Sequence, residues 1–109
     1  MKHLLTDDHL GCLFDTAIET GINYWCTVSI EENIDADLYD FNEEGWELTV
    51  LDHETMTSHK MTKDSFYKGF ELLAQVQPER VTSVLTMDVD AEDADVWFQL
   101  CLFGEIIYG

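Results

Sequence analysis

Residues 88–107 read DVDAEDADVWFQLCLFGEII, in which five carboxylates give way within one turn to an almost unbroken apolar run. Asp90, or a neighbour, is suited to accept from the free backbone N–H groups that open a helix. Glu92 and Asp93 then fall in the first turn, at the positive end of the helix dipole. Beyond them Val96, Trp97, Phe98, Leu100, Cys101, Leu102 and Phe103 leave almost no polar face, so this helix is expected at the centre of the fold. Gly104 is read as its stop, with Glu105–Tyr108 as a short tail docked on the core.

The segments that must surround it follow from their periodicity. Leu10, Leu13, Phe14, Ala17 and Ile18 recur at i, i+3, i+4, i+7 and i+8, which predicts a helix over 6–21 with Thr6 as N-cap and Gly21 as stop. Gly11 costs that helix about 1 kcal/mol relative to Ala. NYWCTVSI (23–30) is aromatic and β-branched, with Thr27 and Ser29 alternating against Cys26, Val28 and Ile30, and reads as a strand. Trp46–Leu51 and Met56–Met61 flank Asp52-His53-Glu54 as a β-hairpin. Thr62 can cap a helix that buries Phe66, Phe70, Leu73 and Ala74 and runs out near Gln77, and a short helix over 79–87 follows Pro78. The expectation is one α+β domain over 1–109, three or four helices with a small antiparallel sheet, in the order α-β-β-β-α-α-α.

The chain has 109 residues, and 23 Asp plus Glu against 5 Lys plus Arg give a formal charge of −18. That field repels DNA, RNA and anionic membranes, whose binding requires Lys and Arg, so direct nucleic-acid or membrane partners are excluded. Disorder is excluded too, because 46% of residues are hydrophobic and 12% aromatic. The charge is uneven. Residues 31–54 hold Glu31, Glu32, Asp35, Asp37, Asp40, Glu43, Glu44, Glu47, Asp52 and Glu54 with no base. Residues 55–80 balance Lys60, Lys63, Lys68 and Arg80 against Asp64, Glu71 and Glu79, and residues 81–109 again carry acids alone.

Motifs with their own chemistry are few. Asp88-x-Asp90-x-Glu92 opens like a calcium-binding EF-hand loop, but Asp93 stands where Gly is needed and Gln99 where a bidentate Glu is needed. His3, His9, His53 and His59 form no HxxxH or HExxH pair and no CxxC exists, so no metal site or cofactor is predicted. Cys12, Cys26 and Cys101 are three separated thiols in apolar strings, as expected of reduced core cysteines in a cytoplasmic protein. The first ten residues lack the apolar region of a signal peptide, and no apolar stretch reaches the ~18 residues of a membrane span. No phosphate loop, dinucleotide fingerprint or nucleophile elbow is present, and the expectation is a non-enzyme.

Gly21-Ile22-Asn23-Tyr24-Trp25, together with Asp93-Ala94-Asp95-Val96 through Gln99 and Leu102–Gly109, resembles a family of small acidic proteins encoded by bacteriophages and related mobile elements. The resemblance covers most of the chain and is weakest over Glu31–Glu44. It implies genomic context rather than an activity, and carries no catalytic residues.

Carboxylates held on a folded surface can imitate nucleic-acid phosphates, which present one charge per ~1.7 Å of duplex axis. Charge and resemblance together lead to the expectation of an anti-CRISPR or anti-restriction inhibitor, a nucleic-acid mimic acting in the cytoplasm of an infected bacterium. Its partner would be a basic host effector, nuclease or restriction enzyme, met by Glu31, Glu32, Asp35, Asp37, Asp40, Glu43, Glu44, Glu47, Asp88, Asp90, Glu92, Asp93 and Asp95. Self-association into a homodimer stays open. The alternatives are an immunity-like inhibitor of one nuclease or toxin with Tyr39, Phe41 and Trp46 as hot spots, an accessory protein acidic for solubility, and a small metal-dependent enzyme using Asp88–Asp95. Surface acidity suited to high salt is a further reading, against which stand four lysines to one arginine and the aromatic content.

Overall fold

The computed structural model describes residues 7–30 and 48–108, apart from the side chains of Asp7, Ile30 and Lys63. In chain order these residues form α1 (Asp7–Thr16), β1 (Cys26–Ile30), β2 (Leu48–Asp52), β3 (Thr57–Met61), α2 (Lys63–Val76), α3 (Glu79–Leu85) and α4 (Ala91–Phe103). This is the α+β order predicted from sequence. β1 and β2 pair antiparallel with Val28 opposite Val50, β2 and β3 with Val50 opposite His59, and the sheet order is β1-β2-β3.

α4 is the centre, as its apolar circumference requires. It packs against α1, α2, α3, β3 and the segment that follows α1, and residues 93–100 are all buried. Asp90 caps it, its Oδ1 accepting from the Asp93 N–H at 2.8 Å while Asp93 Oδ2 accepts from the Asp90 N–H at 3.2 Å. Gly104 ends it in the left-handed conformation, φ 77°. Trp97 stacks edge-on to Phe66 of α2, ring centroids 4.9 Å apart, and its Nε1–H donates to the Phe66 carbonyl at 3.2 Å. The aromatic core is completed by Phe14, Trp25, Phe70 and Phe98, all essentially inaccessible.

Two boundaries differ from the periodicity. The first helix does not run as a regular α-helix to Gly21: Ala17–Gly21 is π-helical, and the Ile22 N–H closes on the Ala17 carbonyl at 3.0 Å. The widened turn sets Gly21 against α4, where a Cβ would lie 2.9 Å from the Ala91 carbonyl oxygen. The first strand starts at Cys26 rather than Asn23, because the Trp25 and Cys26 N–H groups both turn back to the Ile22 carbonyl, at 3.0 and 3.1 Å. The expected cap Thr6 lies outside the described residues.

A candidate acidic docking face

The acidic run at the mouth of α4 divides into two populations. Asp88 and Asp90 are exposed, and Glu92 is 74% exposed with one oxygen 3.1 Å from Arg80 Nη2. Asp93 and Asp95 are buried, at 5% and 8% exposure. Arg80 Nη1 donates to Asp93 Oδ1 at 2.5 Å, and Arg80 Nε donates to Gln77 Oε1, which ties α3 to the first turn of α4. Burial lowers the guanidinium's proton affinity, but Asp93 and Glu92 outweigh it and hold the group more firmly charged than usual. Asp95 accepts from three donors: the Tyr24 hydroxyl at 2.5 Å, Trp25 Nε1 at 2.9 Å and Gln99 Nε2 at 2.9 Å. This corrects the sequence expectation for these two residues. Their carboxylates are consumed inside the chain and present little to a partner.

The sequence reading assigned no contact role to α1, yet its acids join the exposed ones. Asp8 and Asp15 recur at i and i+7 on one face of α1, and Glu19 follows in the π-helical Ala17–Gly21. Asp8 and Glu19 are exposed and Asp15 is half-buried. The loop from α3 to α4 is laid along α1: His9 Nε2 is 3.1 Å from the Leu85 carbonyl, Cys12 Sγ is 3.8 Å from the Met87 carbonyl, and Gly21 abuts Ala91. The residues that precede and open α4, among them the exposed Asp88, Asp90 and Glu92, are thus laid along the same helical segment that carries Asp8, Asp15 and Glu19. The helical spacing of the α1 acids was the available signal, and the long charge runs elsewhere overshadowed it.

Glu31, Glu32, Asp35, Asp37, Asp40, Glu43, Glu44 and Glu47 lie outside the described residues, as do Tyr39, Phe41 and Trp46. Ile30 and Leu48, the described residues on either side of that segment, are register partners.

A buried polar network holds the tail against the core. Gln99 Oε1 accepts from the Ile107 and Tyr108 N–H groups, each at 2.8 Å, and its Nε2 donates to the Tyr108 carbonyl at 3.0 Å. The Tyr108 hydroxyl donates to Asp52 Oδ2 at 2.7 Å, and Asp52 Oδ1 accepts from the Glu54 N–H at 2.8 Å. Burial alone would raise the Asp52 pKa, but the bonds from Tyr108 and from the turn at Glu54 and Thr55 outweigh it and hold the carboxyl below its ordinary 3.8. Tyr108 is pushed up to about 12 by its bond to Asp52, with burial adding to it. Burial, with the charges of Asp52 and Asp95, pushes the Cys26 thiol up to about 12, which makes it a poor nucleophile at neutral pH.

His9, His53 and His59 are dispersed: at the Leu85 carbonyl, 2.6 Å from Thr27 Oγ1, and edge-on to Phe103. No group of three or more His, Cys, Asp or Glu with metal-binding geometry occurs among the described residues, and no helix among them is long and apolar enough to cross a membrane. Compared with protein-family models, curated proteins and solved structures, the chain matches none.

Proposed function

We propose that this chain is a phage-type acidic inhibitor that binds a basic, nucleic-acid-binding host protein in the bacterial cytoplasm and competes with its nucleic acid. The observation that carries the reading is the packing of two acid-bearing chain segments against each other: the helical segment with Asp8, Asp15 and Glu19, and the mouth of α4 with the exposed Asp88, Asp90 and Glu92. Like charges in excess destabilise a compact fold, and a basic partner would relieve that repulsion. The acids of 31–47, which fall in sequence between the register partners Ile30 and Leu48, would extend the contact. The chain acts by occupancy on this reading, with no bond made or broken.

The test is capture from bacterial lysate on the immobilised chain. A basic nucleic-acid-binding protein should be retained at low salt and released near 1 M salt, where the screening length is about 3 Å. Reversing Glu31, Glu32, Asp35 and Asp37 to Lys should abolish retention and leave the circular dichroism unchanged. Retention by that variant at wild-type strength would sink the mimicry mechanism.

A further inference from the structure

We infer that Glu105–Tyr108 is a detachable strap, closed over a slot built by Gln99, Asp52, Trp25 and Phe103, which opens about Gly104 as a unit while the rest of the fold stays intact. The inference does not depend on what the acidic face binds.

The strap is fastened by side chains. Among the described residues, the backbone of 105–108 makes no hydrogen bond to any other backbone group. Its polar groups go instead to one side chain: the Ile107 and Tyr108 N–H groups donate to Gln99 Oε1, and the Tyr108 carbonyl accepts from Gln99 Nε2. The second Nε2 hydrogen goes to Asp95. Both donors and both lone pairs of the Gln99 amide, wholly buried on an otherwise apolar stretch of α4, are therefore engaged, and the strap takes three of the four bonds. The Tyr108 hydroxyl on Asp52 is the further polar tether.

What the strap gives the core is a single ring. Tyr108 is half-buried, with its ring centroid 5.2 Å from that of Trp25 and 6.1 Å from that of Phe103. Glu105, Ile106 and Ile107 are exposed, and none of 104–108 is among the buried core residues, which come from the helices, the sheet and the turn before β1. Backbone held by a few side-chain bonds, with most of its apolar surface in water, belongs to the part of a fold that opens first. Opening orphans no group. Asp52 keeps the Glu54 N–H, and water entering the slot can take the places of the Tyr108 hydroxyl and of the strap's amides on Gln99. Gly104 is suited to be the hinge, with φ at 77° and open space on the side where a Cβ would stand. The slot vacated by the Tyr108 side chain has the Trp25 and Phe103 rings beside it and the Asp52 carboxylate at its end. The closed strap thus withholds a tryptophan face and a carboxylate from the surface, and opening releases them together.

The test is native-state hydrogen exchange, followed by NMR on the full chain from no urea to just below the unfolding midpoint. The Ile107 and Tyr108 amides should exchange at one common rate, about a hundredfold or more faster than the Phe98 amide in the middle of α4, about tenfold or more slower than in an unstructured peptide, and without dependence on low urea. Val84→Ala, which loosens the core in α3, should speed the Phe98 amide and leave the two strap amides unchanged; if that variant does not fold, the urea series on the unaltered chain decides. Strap amides that exchange at the Phe98 rate with its urea dependence, or that Val84→Ala speeds equally, would make 105–108 part of the cooperative core and overturn the inference. Exchange as fast as in an unstructured peptide would show that no strap closes and would overturn it too. Separate rates for Ile107 and Tyr108 would show fraying residue by residue, and the strap as a unit would be refuted.

Discussion

Asp90 and Asp95 belong to one acidic run, and nothing in their spacing tells them apart. What separates them is distant: Tyr24 and Trp25 deliver two donors to Asp95 from 71 and 70 residues away, while Asp90 spends its carboxylate on its own helix end. Asp52 is the same case in a hairpin turn, where the sequence suggests solvent and the Tyr108 hydroxyl supplies a buried partner. Individual roles within a charged string were therefore illegible, because they depend on long-range donors rather than on local pattern.

These bonds make stability depend on pH in both directions. In the folded protein Tyr108 and Cys26 have raised values, each about 12 against ordinary values of 10.0 and 9.0. The unfolded chain therefore ionises first as pH rises from 9, and the contribution present below that pH is lost by about 12. Asp52 is depressed, so its contribution is present above the ordinary carboxylate value and fades as pH falls through the folded value. Tyr108→Phe should lower stability at pH 7 by leaving the Asp52 carboxylate oxygen without its donor. It should also flatten the alkaline decline. Urea midpoints at pH 7 and 10 check both, and a variant with the wild-type midpoint at pH 7 would contradict the bond's role.

At the scale of elements the reading from sequence held for α4 and for most of the inner face of α2, where Ala74 is half-buried. The apolar circumference of 96–103 placed α4 at the centre, and Phe66, Phe70 and Leu73 marked the inner face of α2, where all three are buried. The π-helical Ala17–Gly21 escaped, because the same apolar residues satisfy i+4 and i+5 closure equally and the choice is made by contact with Ala91. The near approach of α2 and α4 was also hidden in a single glycine. A Cβ on Gly69 would lie 2.2 Å from Cys101 Sγ and 3.0 Å from its backbone. Gly69→Ala gains about 1 kcal/mol of helix propensity, but forcing the helices apart costs about 1–3 kcal/mol. A net loss of thermal stability is expected, measurable by calorimetry; a more stable variant would show that α2 and α4 are less closely held than this.

For the whole molecule, the charge of −18 was plain from composition, and its concentration in segments was plain from position. Its geography was not. Folding withdraws Asp93 and Asp95 from the surface and lays the residues that precede and open α4 along the helical segment carrying Asp8, Asp15 and Glu19, through the contacts of His9, Cys12 and Gly21. The central claim is that this composite face meets a basic partner. Its most direct test is the salt dependence of affinity for the captured host protein, compared between the wild-type chain and the triple variant Asp8→Asn, Glu19→Gln, Asp88→Asn. The account predicts that wild-type affinity falls steeply as salt rises from about 0.05 to 0.2 M, across which surface charges become screened. The variant should bind more weakly at low salt, with a shallower slope and an unchanged melting temperature. A variant with the wild-type affinity and the wild-type slope would contradict the account.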